Sequence, residues 1–177
     1  STQQVTVIPQ REGRLYLNVS VSVESEMGTS STVMAIPIQV GEGPRSFEQN
    51  GTLTTDADGN IDYINPVAQD LTGWDMRSAK GRPISEIMTI INEHTRAAVE
   101  NPVTTCLREG RVITLAQNSV LITRKGEEIS IQDSVAPIRD RVGNIIGSVM
   151  VFHDTSNESR LFRQLSYQAA HDALTGL

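Results

Sequence analysis

The run from Arg111 to Asp154 constrains this chain most. It reads as three successive strands, RVITLAQNSVLITRKG, EEISIQDSVAPIRD and NIIGSVMVFHDTS. The breaks at Arg124-Lys125-Gly126 and Arg141-Val142-Gly143-Asn144 are short and turn-forming, so neighbouring strands return on one another as an antiparallel meander. Such a sheet has one apolar face and needs a second layer over it. At 38% hydrophobic and 20% charged, a chain of 177 residues can bury one domain with a piece of another. Aromatics are only 4%, so Val, Ile, Leu and Met must fill the core.

Upstream, residues 1–40 are β-rich. Gln3 to Pro9 is apolar and β-branched, and Arg11-Glu12-Gly13 is a hairpin turn. Leu15, Leu17, Val19, Val21 and Val23 then alternate with polar residues, the period of a half-buried strand. Glu24 to Thr32 reads as a polar loop. Val33 to Val40 reads as a third strand, with Pro37 placing it at an edge. The order repeats later: Arg11-Glu12-Gly13 with RLYLNVSVSV echoes Arg124-Lys125-Gly126 with EEISIQDSVAP, and STVMAI echoes GSVMVF. Two β-meanders can look alike without being repeats; if the echo is a repeat, residues 1–40 are the tail of an upstream domain of the same type. Residues 41–50, GEGPRSFEQN, have linker composition, with a short helix open at Ser46 to Gln49.

Gly51 to Thr55 begins a new strand, Asp58-Gly59-Asn60 turns it, and Ile61 to Ile64 returns. Asn65 is a helix N-cap and Pro66 suits the first helical position. The helix PVAQDLT sets Val67 and Leu71 on one face and stops at Gly73; Trp74 then plugs the core. After the break at Gly81-Arg82-Pro83 comes a short helix, Ile84 to Met88. Glu93 to Glu109 is expected to be helical for part of its length, with a fresh start at Asn101-Pro102 and an end at Gly110.

Two strands, short helices and three long strands, in that order, resemble the PAS sensor domain. The text that carries the likeness is DADGNIDYINPVAQDLTGW at the opening and ISIQDSVAPIRDRVGNIIGSVMVFHDTS at the close, over about residues 48–156. The resemblance implies an α+β fold: a five-stranded antiparallel sheet covered by short helices at 51–156, preceded by the β-rich segment and followed by a linker helix at 157–171. Residues 172–177 belong to HDALTGL, which resembles the first motif of the GGDEF, or diguanylate cyclase, family. The chain reads as a piece of a larger protein, and no guanine- or metal-binding position of a cyclase can be carried over to it.

No catalytic or metal-binding constellation is apparent. His94, His153 and His171 are far apart in sequence, and the placement of His94 is early for a haem-binding helix. Thr105-Cys106-Leu107 does not match the Asn-Cys-Arg motif of flavin-binding relatives, so Cys106 reads as a small buried hydrophobe. No cofactor is therefore assigned, neither haem nor flavin, although an unknown small molecule is compatible with the fold. By the family's layout, the pocket walls are Ile87, Met88, Ile91, Val99, Val103, Leu107, Ile131, Asp133, Met150 and Phe152. Asp133 is the odd member, because the alternation Ile129, Ile131, Asp133, Val135 sets a carboxylate on the apolar face. A buried charge needs a salt bridge, a backbone hydrogen bond or a ligand.

The last segment, NESRLFRQLSYQAA, holds helix formers without Gly or Pro. Phe162, Leu165 and Ala169 make a narrow stripe that suits a parallel partner helix or the chain's own sheet. Asp154 and Thr155 are placed to cap its start. The expectation is a sensory, dimerising module acting as a homodimer on its own downstream cyclase in cyclic di-GMP signalling. The alternative is a ligand-free dimerisation spacer with a collapsed cavity. A net charge of −6 without clustered Lys and Arg argues against nucleic acid as a partner. No apolar run approaches the roughly 20 residues that span a bilayer. A cytoplasmic location is expected, with any membrane anchor elsewhere in the parent.

Overall fold

The computed structural model of the protein describes residues 3–9, 15–25, 28–38, 50–115 and 118–175. The expected linker helix at Ser46–Gln49 lies outside them. Strands β1 (Gln3–Pro9), β2 (Leu15–Ser25) and β3 (Gly28–Ile38) form an antiparallel sheet in the order β1-β2-β3. The polar stretch from Glu24 to Thr32 is mostly strand, because β2 and β3 stay paired up to Ser25 opposite Gly28. Its register sets Glu24 opposite Thr29 and Val23 opposite Ser30, and β-branched Thr suits a strand as well as a loop. Pro37 lies on β3, an edge strand of this sheet, where a missing N–H can face outward.

The main sheet begins with β4 (Gly51–Asp56) and β5 (Ile61–Ile64). Helices α1 (Pro66–Thr72), α2 (Met76–Ala79) and α3 (Ile84–Ile87) follow, then β6 (Thr89–Asn92) and α4 (Pro102–Glu109). The chain closes with β7 (Ile113–Thr114), β8 (Ser119–Ile122), β9 (Glu128–Arg139), β10 (Ile145–Asp154) and α5 (Ser156–Thr175). The order across the sheet is β5-β4-β10-β9-β8-β6, with β7 also on β9. It has seven strands rather than the expected five. One extra strand is β6, a four-residue segment that pairs with β8 and was not distinguishable from its helical surroundings. The other arises because the first strand of the meander is broken: Asn118, at φ 76°, separates β7 from β8.

Local chemistry explains the element ends. The Asn65 side chain accepts from the Ala68 N–H at 2.8 Å and from the Thr52 N–H at 2.9 Å, so one amide caps α1 and pins it to β4. Gly73, at φ 76°, ends that helix with its N–H on the Gln69 carbonyl. Asn101 caps α4 through the Val103 N–H at 3.0 Å. Two turns share one design, Asp-x-x-Gly-Asn, at Asp56–Asn60 and Asp140–Asn144. In each, Oδ1 of the Asp accepts two backbone N–H groups at 2.9 Å and Oδ2 accepts from the Asn side chain. Asp56 pairs with Gly147 just past the second turn, so the two brackets sit side by side at one end of the sheet.

The core lies between the helices and one sheet face. It holds Leu53, Ile61, Ile64, Ala68, Ile84, Ile87, Met88, Ile90, Val103, Cys106, Leu121, Ile131, Val135, Met150 and Phe152. At roughly 25 cal/mol per Å² of apolar surface removed from water, these side chains dominate the stabilisation. On α1 the inward residues are Ala68 and Thr72, with Leu71 packed beside them; Val67 is only half-buried. The opposite sheet face is also covered: Thr54, Val120, Ser134, Ala136, Val149 and Val151 are buried there, and β3 and α5 both approach β9.

Candidate functional site

The side chains expected to wall a pocket converge, with one exception. Ile87, Met88, Val103, Ile131, Met150 and Phe152 belong to the core, and Val99 and Leu107 pack against it. Ile91 does not. It sits on β6 opposite Val120, while its neighbour Ile90 lies opposite Leu121 and faces the core. Period two replaces the helical period in this segment, and the inward position moves by one residue. At the centre of the wall, Phe152 pairs with Asp133 on one side and Gly51 on the other. The phenyl ring lies over Gly51, where any side chain would meet it.

Asp133 is 3% exposed and stands among these hydrophobes. Its Oδ1 accepts from the Leu115 backbone N–H at 3.1 Å, and its Oδ2 has no hydrogen-bond partner among the described residues. Of the partners weighed for it from sequence, the backbone bond is present. Burial pushes the carboxyl up to about 7, with the Leu115 N–H pulling the other way. Cys106, on α4, is likewise buried, and burial raises its thiol to about 11, partly offset by Arg139. A thiol held that high is not a nucleophile near neutrality.

The histidines do not converge on this region. His94 is exposed on the turn after β6, with its N–H on the Asn92 side chain at 2.9 Å, and His153 alternates to the far side of β10 from Phe152. The side chain of His171 lies outside the described residues. Among the described residues no group of His, Cys, Asp and Glu could hold a metal ion. Trp74 packs against the core as expected, but its ring is also stacked by two guanidinium groups, Arg124 at 4.1 Å and Arg82 at 5.4 Å from its centroid.

The exit from the sheet is tied down by bonds that sequence reasoning missed. β10 ends at Asp154 and α5 begins at Ser156. Asp154 Oδ1 accepts from the Ser156 N–H at 2.7 Å, completing the cap expected of it. The Thr155 N–H donates to the Ser130 carbonyl at 2.7 Å, and the Ser130 N–H donates to Ser156 Oγ at 3.2 Å. Ser130 is on β9, so the helix start is fastened to two adjacent strands. No local pattern announces Ser130, because its partners are 25 and 26 residues away. Farther along, Arg163 pairs with Glu93 at 3.1 Å, bringing α5 to the end of β6. Leu165 is 56% exposed and Ala169 is exposed, as are Leu161 and Tyr167; the side chain of Phe162 lies outside the described residues. The helix continues through His171 to Thr175 without a break at the expected boundary near 171. No helix among the described residues is long and apolar enough to cross a membrane.

Comparison with known proteins bears on this architecture. Residues 49–160 match the family described as PAS fold. The chain is 33% identical over 117 residues to the "Probable diguanylate cyclase DgcE" of Escherichia coli (strain K12), covering 66% of this chain and 10% of that protein. It is 26% identical over 125 residues to the "Cyclic di-GMP phosphodiesterase PdeB" of Shewanella oneidensis, covering 71% of this chain and 14% of that protein. It therefore spans only a small part of either relative's length. Among solved structures, an RNA-binding light-oxygen-voltage receptor aligns with TM-score 0.51 at 17% identity, over 72% of this chain and 36% of that one. The fungal blue-light photoreceptor Vivid, as a light-state dimer, aligns with TM-score 0.50 at 16% identity, over 66% and 84%. These two likenesses concern the fold alone. The sheet, its helical cover and the family match agree: this chain belongs to the PAS-fold family, the sensor domains of signal transduction.

Proposed function

We propose that residues 51–156 are a sensory and dimerising module that regulates a diguanylate cyclase domain following α5, in cyclic di-GMP signalling. The observation that carries this reading is the bonded junction of Asp154, Thr155 and Ser156 with Ser130, through which β10 passes directly into a helix of 20 residues while β9 holds its start. Both curated relatives bear names from cyclic di-GMP turnover, which supports the output. The exposed stripe of Leu161, Leu165 and Ala169 on α5 suits a parallel copy of the same helix. On this reading Asp154, Thr155, Phe162, Leu165 and Ala169 carry the signal, and a change within the sheet turns or shifts α5. Residues 1–40 are the closing strands of a second unit of the same type, 41–50 a linker, and 172–177 the entry to the cyclase. The parent acts at the cytoplasmic side, whether or not it is anchored elsewhere.

A second reading, a spacer that binds nothing, is favoured by the filling of the core: Ile87, Met88, Val103, Met150 and Phe152 are all buried to 1% exposure or less. Mass spectrometry under non-denaturing conditions separates the two, since only a ligand-binding sensor retains a small molecule. The relay is tested by inserting residues between Glu158 and Ser166 in a fusion of this chain to a diguanylate cyclase domain. Each inserted residue turns the downstream helix by about 100° and advances it by about 1.5 Å. Cyclase output is expected to change with one or two added residues and to recover near seven, where the phase returns to within about 20°. Output indifferent to insertion length would reject a rigid relay.

A further inference from the structure

We propose that Asp133 is an internal proton switch governing how firmly Leu115, just beyond β7, is held against β9. The geometry has three parts. The carboxyl is buried in an apolar wall between Phe152 on β10 and the backbone of Leu115. Its one bond, Leu115 N–H to Oδ1, fastens the chain just beyond β7, at a point where the strand is already broken before β8. The other oxygen, Oδ2, is buried without a donor among the described residues.

The two protonation states therefore differ in what they require. The neutral acid rests in the apolar wall and keeps a carbonyl-type acceptor for Leu115. The carboxylate strengthens that bond but leaves a charged oxygen dry, and parting of Leu115 from it admits water. Nothing charged compensates from the neighbouring elements. Cys106, from α4, is a neutral thiol; Phe152, Ile113 and Leu115 are apolar; and no charged side chain among the described residues contributes to the shift of Asp133. Along the sheet, Asp154 lies at the exposed end of β10, and the Arg139 guanidinium is bound to the carbonyls of Gly110 and Gly143 at the opposite end of β9. The carboxyl thus titrates near neutrality, within the physiological range. Because β9 also carries Ser130, the switch sits on the strand that fastens α5. The inference stands whether or not a cyclase follows.

The test is nuclear magnetic resonance on this chain. The Asp133 carboxyl carbon is expected to titrate with a midpoint near 7. If parting of Leu115 from Asp133 hydrates the carboxylate, linkage makes opening rise by up to tenfold per pH unit between about pH 5 and 7, then level off. After correction for intrinsic exchange, the Leu115 amide should follow that curve and exchange faster than the Leu53 amide on β4. In Asp133→Asn the dependence should vanish. A carboxyl midpoint below about 5, or Leu115 protection equal to that of Leu53 at every pH, would overturn the proposal. The titration is read on the native sequence and so does not depend on the variant folding.

Discussion

Replacing Asp133 by Asn should remove the loss of stability that this carboxyl imposes as the pH rises from acid to neutral. The carboxyl rises from its ordinary 3.8 to about 7 on folding, a shift of roughly three pH units. At about 1.36 kcal/mol per unit, that is about 4 kcal/mol. The folded state binds this proton more tightly than the unfolded chain. Its contribution is therefore complete below about pH 4, is lost as the pH rises toward 7, and stays lost above. Other carboxylates work in the opposite direction: hydrogen bonds hold Asp75, Glu100, Glu128 and Asp140 below their usual range. They are present in both proteins, so they cancel in a difference. The Asn amide can still accept from Leu115 but places an NH2 where Oδ2 has no partner, a pH-independent cost of about 1–3 kcal/mol. Urea unfolding of both proteins, followed by far-ultraviolet circular dichroism, gives the test. Wild-type stability minus variant stability should fall by about 3 kcal/mol between about pH 5 and pH 8. A difference that stays flat across that interval would refute the reasoning that burial controls this carboxyl.

Two further substitutions test how the sheet is held. Asn65→Ala should cost about 2–4 kcal/mol, because it removes the cap of α1 and leaves the Thr52 N–H without its acceptor; Asn65→Asp should cost less, since Oδ1 remains. Urea midpoints at unchanged slope will show it. Gly147→Ala should destabilise by about 3 kcal/mol or fold poorly, because its Cβ would stand 2.1 Å from the Thr55 carbonyl oxygen. Thermal unfolding measures this, and a loss below about 1 kcal/mol would mean that β10 can shift away from β4 without consequence.

What could be read from the residues depended on whether its cause was local. Asn65-Pro66 with Gly73, and Asn101-Pro102 with Gly110, announced two helices because caps act within four residues of their partners. The alternation around Asp133 placed that carboxylate inward, since a strand has only two faces. The four-residue strand β6 was hidden, because Thr-Ile-Ile-Asn is too short to display a period, and Ile90 rather than Ile91 consequently faces the core. The stretch from Arg111 to Gly126 looked like one strand although Asn118, of a type that takes left-handed backbone more readily than most, marks the break. Ser130 was invisible for a different reason: its role exists only once two distant segments have met. The ligand question is of the same kind, because side-chain filling of a wall is a property of the packed whole.

The paired Asp-x-x-Gly-Asn brackets lie at the end of the sheet where β4 gives way to β5 and β9 to β10, while Gly51, Phe152 and Asp154 lie at the other. Two hairpins clamped side by side at one extremity behave like tongs with a stiff pivot. From that pivot the pairing of β10 with β4 and β9 runs unbroken to Gly51 and Ile131. A long helix therefore departs from the far end of a clamped lever, and a displacement at either extremity is handed along the strands to the other.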